Sequence, residues 1–177
     1  LSSSSAASDV YKRQDVGTGD RIESGELVYY GGEPYTRYYT VYMNGQRYSA
    51  YCGDHSKNAV RSTGNVTFGT TQDTLIRKAF MYGPDSSNAW SGFAGMSRND
   101  RQLVMALTLN YIRHGQYFPV VSEFYRYITS SECHDVILDS DQTELTIVED
   151  GSGKKYGHSV ILSNYARYRD ASSDAVR

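Results

Sequence analysis

The chain of 177 residues carries 18 Lys and Arg against 20 Asp and Glu, a net charge of −2. So even a balance speaks against a nucleic-acid binder, which shows a basic excess or stripe. No apolar run approaches the roughly 20 residues of a membrane-spanning helix, and two cysteines exclude a disulfide-dense scaffold. The unusual count is 17 tyrosines against 5 phenylalanines. Tyrosine covers a core with its ring while its hydroxyl stays wet, the profile of a β-rich, outward-facing protein.

Residues 1–14, LSSSSAASDVYKRQ, have no hydrophobic period, no basic start and no apolar stretch, so they are no signal peptide. The string resembles translated sequencing-adapter read-through and is expected to be non-native. Without it the balance is 16 positive against 19 negative residues. Residues 15–177 then read as one module, with strands over 27–70, helices over 71–131 and strands over 132–177.

Leu27 to Tyr30 (LVYY) is a short strand ended by Gly31-Gly32. Thr36 to Met43 (TRYYTVYM) is rich in strand-forming aromatic and β-branched residues. Asn44-Gly45 is a strong hairpin signal, since both residues tolerate positive φ. The returning strand, Gln46 to Cys52, places Tyr48 on one face with Ala50 and Cys52. Leu75, Ile76, Ala79 and Phe80 then repeat at helical spacing, with Thr71 as the expected N-cap and Gly83-Pro84 as the stop. Ser97 with Asp100 opens a second helix whose stripe is Val104, Leu107, Thr108 and Tyr111, widened by Leu103 and Ile112, ending at His114-Gly115. A third helix follows Pro119. Strands return at Glu144–Val148 and Ser159–Leu162. The order predicts an α+β fold in which an antiparallel sheet carries a three-helix insertion. The polar tail after Tyr168 reads as a cut edge, so the module is expected to continue beyond Arg177.

Nucleotide-binding, nucleophile-elbow and paired-cysteine zinc signatures do not occur in the sequence. What remains is Cys52, at the end of a strand and before the polar turn Gly53-Asp-His-Ser-Lys57. A loop positioned by a rigid scaffold is where function tends to be carried. From the residues alone, Cys52 is a buried free thiol, a disulfide partner of Cys133, a nucleophile, or a zinc ligand with His55, Cys133 and His134.

The segment AYCGDHSK resembles the cysteine motif of the thioester domains of Gram-positive, cell-wall-anchored surface adhesins. Two further stretches follow in the family's order: TLIRKAFMYG, ending at Gly83, is similar to its "LRKALYYG" helix, and ALTLNYIRHG, ending at Gly115, to its "LALSYIYHG" helix. The likeness runs from about Leu27 to about Gly115. Gly53 and His55 depart from the family pattern, and Cys133 is an unexpected second cysteine.

The resemblance implies an extracellular module in which Cys52 forms an internal thioester with a glutamine. An amine, such as a lysine of a host or surface protein, then captures it. The family's glutamine lies well over a hundred residues downstream, which places it beyond Arg177, with Gln142 the alternative inside the chain. No cofactor or metal is implied. Tyr48, Tyr51 and Tyr82 are the candidate aromatic shield, His55 a candidate for proton transfer, and Lys57 a cation that would lower the thiol pKa. Asn65-Val-Thr67 is a glycosylation sequon of little meaning in a bacterial surface protein. The alternatives are a Cys–His hydrolase or transglutaminase-like enzyme, or a zinc-stabilised or non-covalent glycan- or protein-binding module.

Overall fold

The computed structural model describes residues 19–56, 59–62, 64, 66–69, 73–134, 136–138, 144–149, 155–162 and 168–170. The fold is α+β. In chain order the elements are β1 (Arg21–Tyr30), β2 (Glu33–Met43), β3 (Gln46–Cys52), β4 (Val66–Gly69), α1 (Thr74–Met81), α2 (Arg98–His114), α3 (Ser122–Ile128), β5 (Val136–Leu138), β6 (Glu144–Glu149), β7 (Lys155–Leu162) and β8 (Tyr168–Asp170). Short 3₁₀ turns at Ser91–Phe93 and Pro119–Val121 precede α2 and α3.

Six strands form one antiparallel sheet in the order β1-β2-β3-β7-β6-β4, and β5 pairs with β8 in a second sheet. The β2–β3 hairpin turns at Asn44 and Gly45, with φ of 52° and 75°. Strand β3 is bonded on both edges. Tyr39 pairs with Ala50 on one side, and Cys52 pairs with Val160 on the other.

Strand β1 starts six residues before the stretch expected from the sequence. The register shifts between Ser24 and Leu27, and this irregularity hides the alternation that marks a strand. Gly25 sits at that shift because a Cβ there would come within 2.8 Å of the Tyr38 carbonyl oxygen. Strand β2 likewise starts at Glu33, before the expected Thr36. Pro34 is tolerated there because only β1 pairs with that part of the strand among the described residues.

Helix α1 is capped by Asp73, whose side chain accepts from the amides of Leu75 (2.9 Å) and Ile76 (3.2 Å). The expectation of Thr71 is thereby corrected: a carboxylate one residue before the helix reaches two unpaired N–H groups. Thr71 itself lies outside the described residues. Ser97 caps α2 through the Asp100 amide, and Gly115 ends it in the left-handed region, both as the sequence predicts.

The one-sided stripe predicted for α2 is corrected by burial. All nine residues from Gln102 to Asn110 are buried, so the helix is covered around its circumference. Val104, Met105 and Leu109 face a core built with α1 and α3 (Ile76, Phe80, Phe124, Ile128), which also holds Cys133. Leu103 and Leu107 pack with Val28 and Val121. A third cluster, Ile22, Val41, Met43, Ala50, Cys52 and Val60, belongs to the sheet and the loop after it. Cys52 and Cys133 therefore sit in different cores, and both are free thiols.

A candidate thiol cleft at the end of strand β3

Alternation along β3 separates its last residues. Cys52 points with Ala50, and with half-buried Tyr48, into the sheet cluster. Tyr51 points into the helical core, its ring centroid 6.1 Å from that of Phe80 and its hydroxyl donating to Asp85 at 2.7 Å. Tyr82 belongs to that same core, stacked edge-on against Tyr127, and its hydroxyl accepts the His134 amide at 3.3 Å. The shield expected from the sequence is thus corrected: Tyr48 stays on the Cys52 side, and Tyr51 and Tyr82 do not. Successive strand side chains leave by opposite faces, so the neighbour in sequence is not the neighbour in space.

Cys52 is 5% exposed, yet it lines a cleft of about 230 Å³ together with Tyr35, Tyr39 and His55. Tyr35 and Tyr39 come from β2, and β2–β3 pairing brings them alongside. Alternation does not mark Tyr35 in the sequence, because the β1–β2 register shifts between the Val28–Thr36 and Tyr29–Pro34 pairs and Tyr35 is the extra residue there.

His55 is held by two neighbours of the turn. Its ring lies 4.8 Å from that of Tyr35. The preceding residue, Asp54, accepts from the Ser56 amide (3.0 Å) and hydroxyl (2.5 Å) and meets His114 Nε2 at 2.9 Å. The turn after Cys52 is therefore tied to the C-terminal end of α2. Burial pulls the Asp54 carboxyl up, but its bonds to Ser56 and the His114 contact outweigh that and hold it below the usual carboxylate range. Tyr35 is fixed from the other side. Buried Asn110 donates from Nδ2 to the Tyr35 hydroxyl at 2.9 Å and to Gln116 Oε1 at 2.8 Å. Burial pushes the Tyr35 phenol up to about 12.

Burial likewise pushes the Cys52 thiol up to about 11. A hydrogen bond from the Asp54 backbone amide and the charge of Arg113 pull it down, while the Asp54 carboxylate pushes it up. Burial wins, so at neutral pH the group is a protonated thiol. This corrects the expectation of a lowered pKa. Lys57, the cation proposed for that role, lies outside the described residues, as do Asn65 and Gln142. A neutral thiol needs a base before it can act as a nucleophile, and His55 is the imidazole on the same cleft wall.

Among the described residues no group of three or more His, Cys, Asp or Glu side chains is gathered for a metal. Of the zinc set Cys52, His55, Cys133 and His134, Cys52 lies in the sheet cluster and Cys133 in the helical core. No helix among the described residues is long and apolar enough to cross a membrane. No protein-family model, curated protein or solved structure matches the chain.

Proposed function

We propose that the chain is a covalent binding module of a cell-surface adhesin, with a thioester-domain-like fold. In this reading Cys52 and a glutamine carboxamide condense to a thioester with loss of ammonia. An amine then attacks the thioester carbonyl, forming an amide and returning the Cys52 thiol. Its partner is an amine-bearing host or surface protein, and its place is extracellular, on the cell wall. The observation that carries the reading is Cys52 on the floor of a cleft, at the end of a strand bonded on both edges, with His55 on the wall.

The physical case has three parts. A buried sulfur protects a stored thioester from water, which would otherwise hydrolyse it before a target arrives. The Tyr35 and Tyr39 rings that line the cleft contribute to that exclusion. His55 accepts the thiol proton on thioester formation and the ammonium proton on aminolysis. The product amide is covalent, and so lies beyond the ceiling of non-covalent affinity. The resemblance of AYCGDHSK and the two later helical stretches to adhesin thioester domains points the same way.

The test is intact mass of the chain expressed with its native flanking sequence. The mass should fall short of the sequence mass by one ammonia, and methylamine should replace the deficit with an adduct. Cys52→Ala should abolish both. A full sequence mass in the wild type would sink the proposal.

The shared cleft of Cys52 and His55 also favours a second reading, a Cys–His hydrolase or transglutaminase-like enzyme. Against it, nucleophilic cysteines gain their thiolate from helix N-termini or nearby cations, whereas Cys52 ends a strand and its thiol is raised. Multiple turnovers on excess amide substrate, with no ammonia deficit, would select this reading over the first.

A further inference from the structure

On the opposite face of the β2–β3 hairpin from Cys52 lies a second cleft, of about 310 Å³. Its strand wall includes Tyr38 and Thr40 from β2 with Arg47, Ser49 and Tyr51 from β3. Arg98 and Arg101 of α2 and Asp85 of the α1–α2 loop close it. Three guanidinium groups thus face one carboxylate.

Two of these guanidinium groups are held in place without being neutralised. The Arg98 guanidinium carbon stacks 3.8 Å over the Tyr38 ring, and the Tyr38 hydroxyl is tied to Asn99. Stacking on a ring face leaves the in-plane N–H fork for other acceptors. Arg101 spends its Nε on the Phe93 carbonyl at 3.3 Å, which fixes its stem. Among the described residues none of the three arginines makes an ion pair with a carboxylate. Asp85 accepts instead from the Tyr51 hydroxyl.

We propose that this cleft binds an acidic sugar, a uronate-type residue of a glycan, with its carboxylate on the arginine forks. Arg forks match carboxylate geometry, and charge-assisted bonds of this kind are the strong ones. The cleft is at the small end of ligand sites, sized for one sugar unit rather than a polymer groove. Asp85, Thr40 and Ser49 supply acceptors and hydroxyls suited to the sugar's hydroxyl groups, a mixture that a site for bare anions does not need. The chain as a whole carries a net charge of −2, without the overall basic excess that tracks nucleic acid. The site does not rest on Cys52 chemistry, because it occupies the other face of the hairpin.

The experiment is an NMR titration of the chain with glucuronate, glucose, inorganic sulfate and a tri-glutamate peptide. Glucuronate should shift the Tyr38, Ser49 and Asp85 resonances saturably, with glucose weaker by about tenfold or more for want of the carboxylate. Arg98→Ala and Arg101→Ala should each weaken glucuronate by about tenfold. Arg47→Lys, which keeps charge but loses the fork, should cost less, and Cys52→Ala should leave binding unchanged. Should an arginine variant lose its folded spectrum, the ligand comparison on the wild type decides alone. Equal binding of glucose and glucuronate would overturn the proposal. So would sulfate or the peptide matching glucuronate, the first marking a general anion site and the second an acidic-peptide site.

Discussion

Cys52 and Cys133 are nearly equal in exposure, at 5% and 4%, and burial raises both thiols. Their settings differ in every other respect. Cys52 ends an interior strand and opens onto a cleft shared with a histidine. Cys133 follows the last helix, its amide bonded to the Ser130 carbonyl, and it packs within the aromatic helical core. Exposure therefore does not separate the two cysteines. What distinguishes them is that Cys52 lines a cleft, together with His55, and Cys133 is packed among core side chains.

The sharpest way to test this contrast is alkylation of the free-thiol form against pH. The thiolate is the reacting species, and the Cys52 pKa of about 11 leaves almost none at pH 7. Cys52 labelling should therefore rise about tenfold per pH unit, roughly a thousandfold from pH 7 to 10, and not level off near 9 as an ordinary thiol would. Peptide mapping after iodoacetamide treatment reads each site. An early plateau at Cys52 would break the comparison from the Cys52 side.

Breaking it from the other side means opening the helical core. Phe124 is fully buried among Trp90 and Phe93, with ring centroids 5.7 Å and 4.9 Å away. Phe124→Ala should cost about 3–5 kcal/mol in denaturant unfolding. It should raise Cys133 labelling well before that of Cys52. Equal sensitisation of both thiols would mean that the two cores open together.

Asn110 links the regions, because it is buried on α2 yet holds Tyr35 at the Cys52 cleft. Asn110→Ala should destabilise by about 1–3 kcal/mol and should sensitise Cys52 but not Cys133. The α1 cap lies away from the cleft. Asp73→Ala should cost about 1 kcal/mol and leave Cys52 labelling unchanged.

The smallest effect belongs to the Asp54–His114 contact. The Asp54 carboxyl is held below its usual range, so its contribution is complete above the unfolded-state pKa and disappears as pH falls through the lower folded value. Asp54→Asn should lower stability at neutral pH by less than about 1 kcal/mol, the difference from wild type vanishing as pH falls through that folded value. A difference that persisted at low pH, where the carboxyl is protonated, would place the residue in a different role.

Much of the fold is legible locally. The Asn44-Gly45 turn, strand β3 from Gln46 to Cys52, and the Ser97 and Gly115 ends of α2 depend on residues a few positions apart. Strand β1 was partly hidden because its alternation breaks at Gly25, where the reason is the distant Tyr38 carbonyl. The short strands β4, β5 and β8 carry too few residues to show a period. Half of the site was legible in the same way: Cys52 and His55 are sequence neighbours, and the polar turn between them marks the place. Tyr35 and Tyr39 were not, because nothing local says which aromatic strand face the cysteine will meet.

The sequence by itself determined the β2–β3 turn, strand β3, both ends of α2 and which cysteine closes a strand before a polar turn, since backbone φ preference, capping and alternation are properties of adjacent residues. Only the tertiary structure decided that β3 lies between β2 and β7, that Tyr51 and Tyr82 leave the cysteine while Tyr35 and Tyr39 join it, and that His114 clamps the turn. It also decided that polar Gln102 and Asn110 are buried, with Gln102 Nε2 donating to the Arg37 carbonyl at 3.2 Å and Asn110 bonding Tyr35 and Gln116. A buried polar group must find a partner. The partner can come from anywhere in the chain, so its identity is settled by packing and not by sequence proximity.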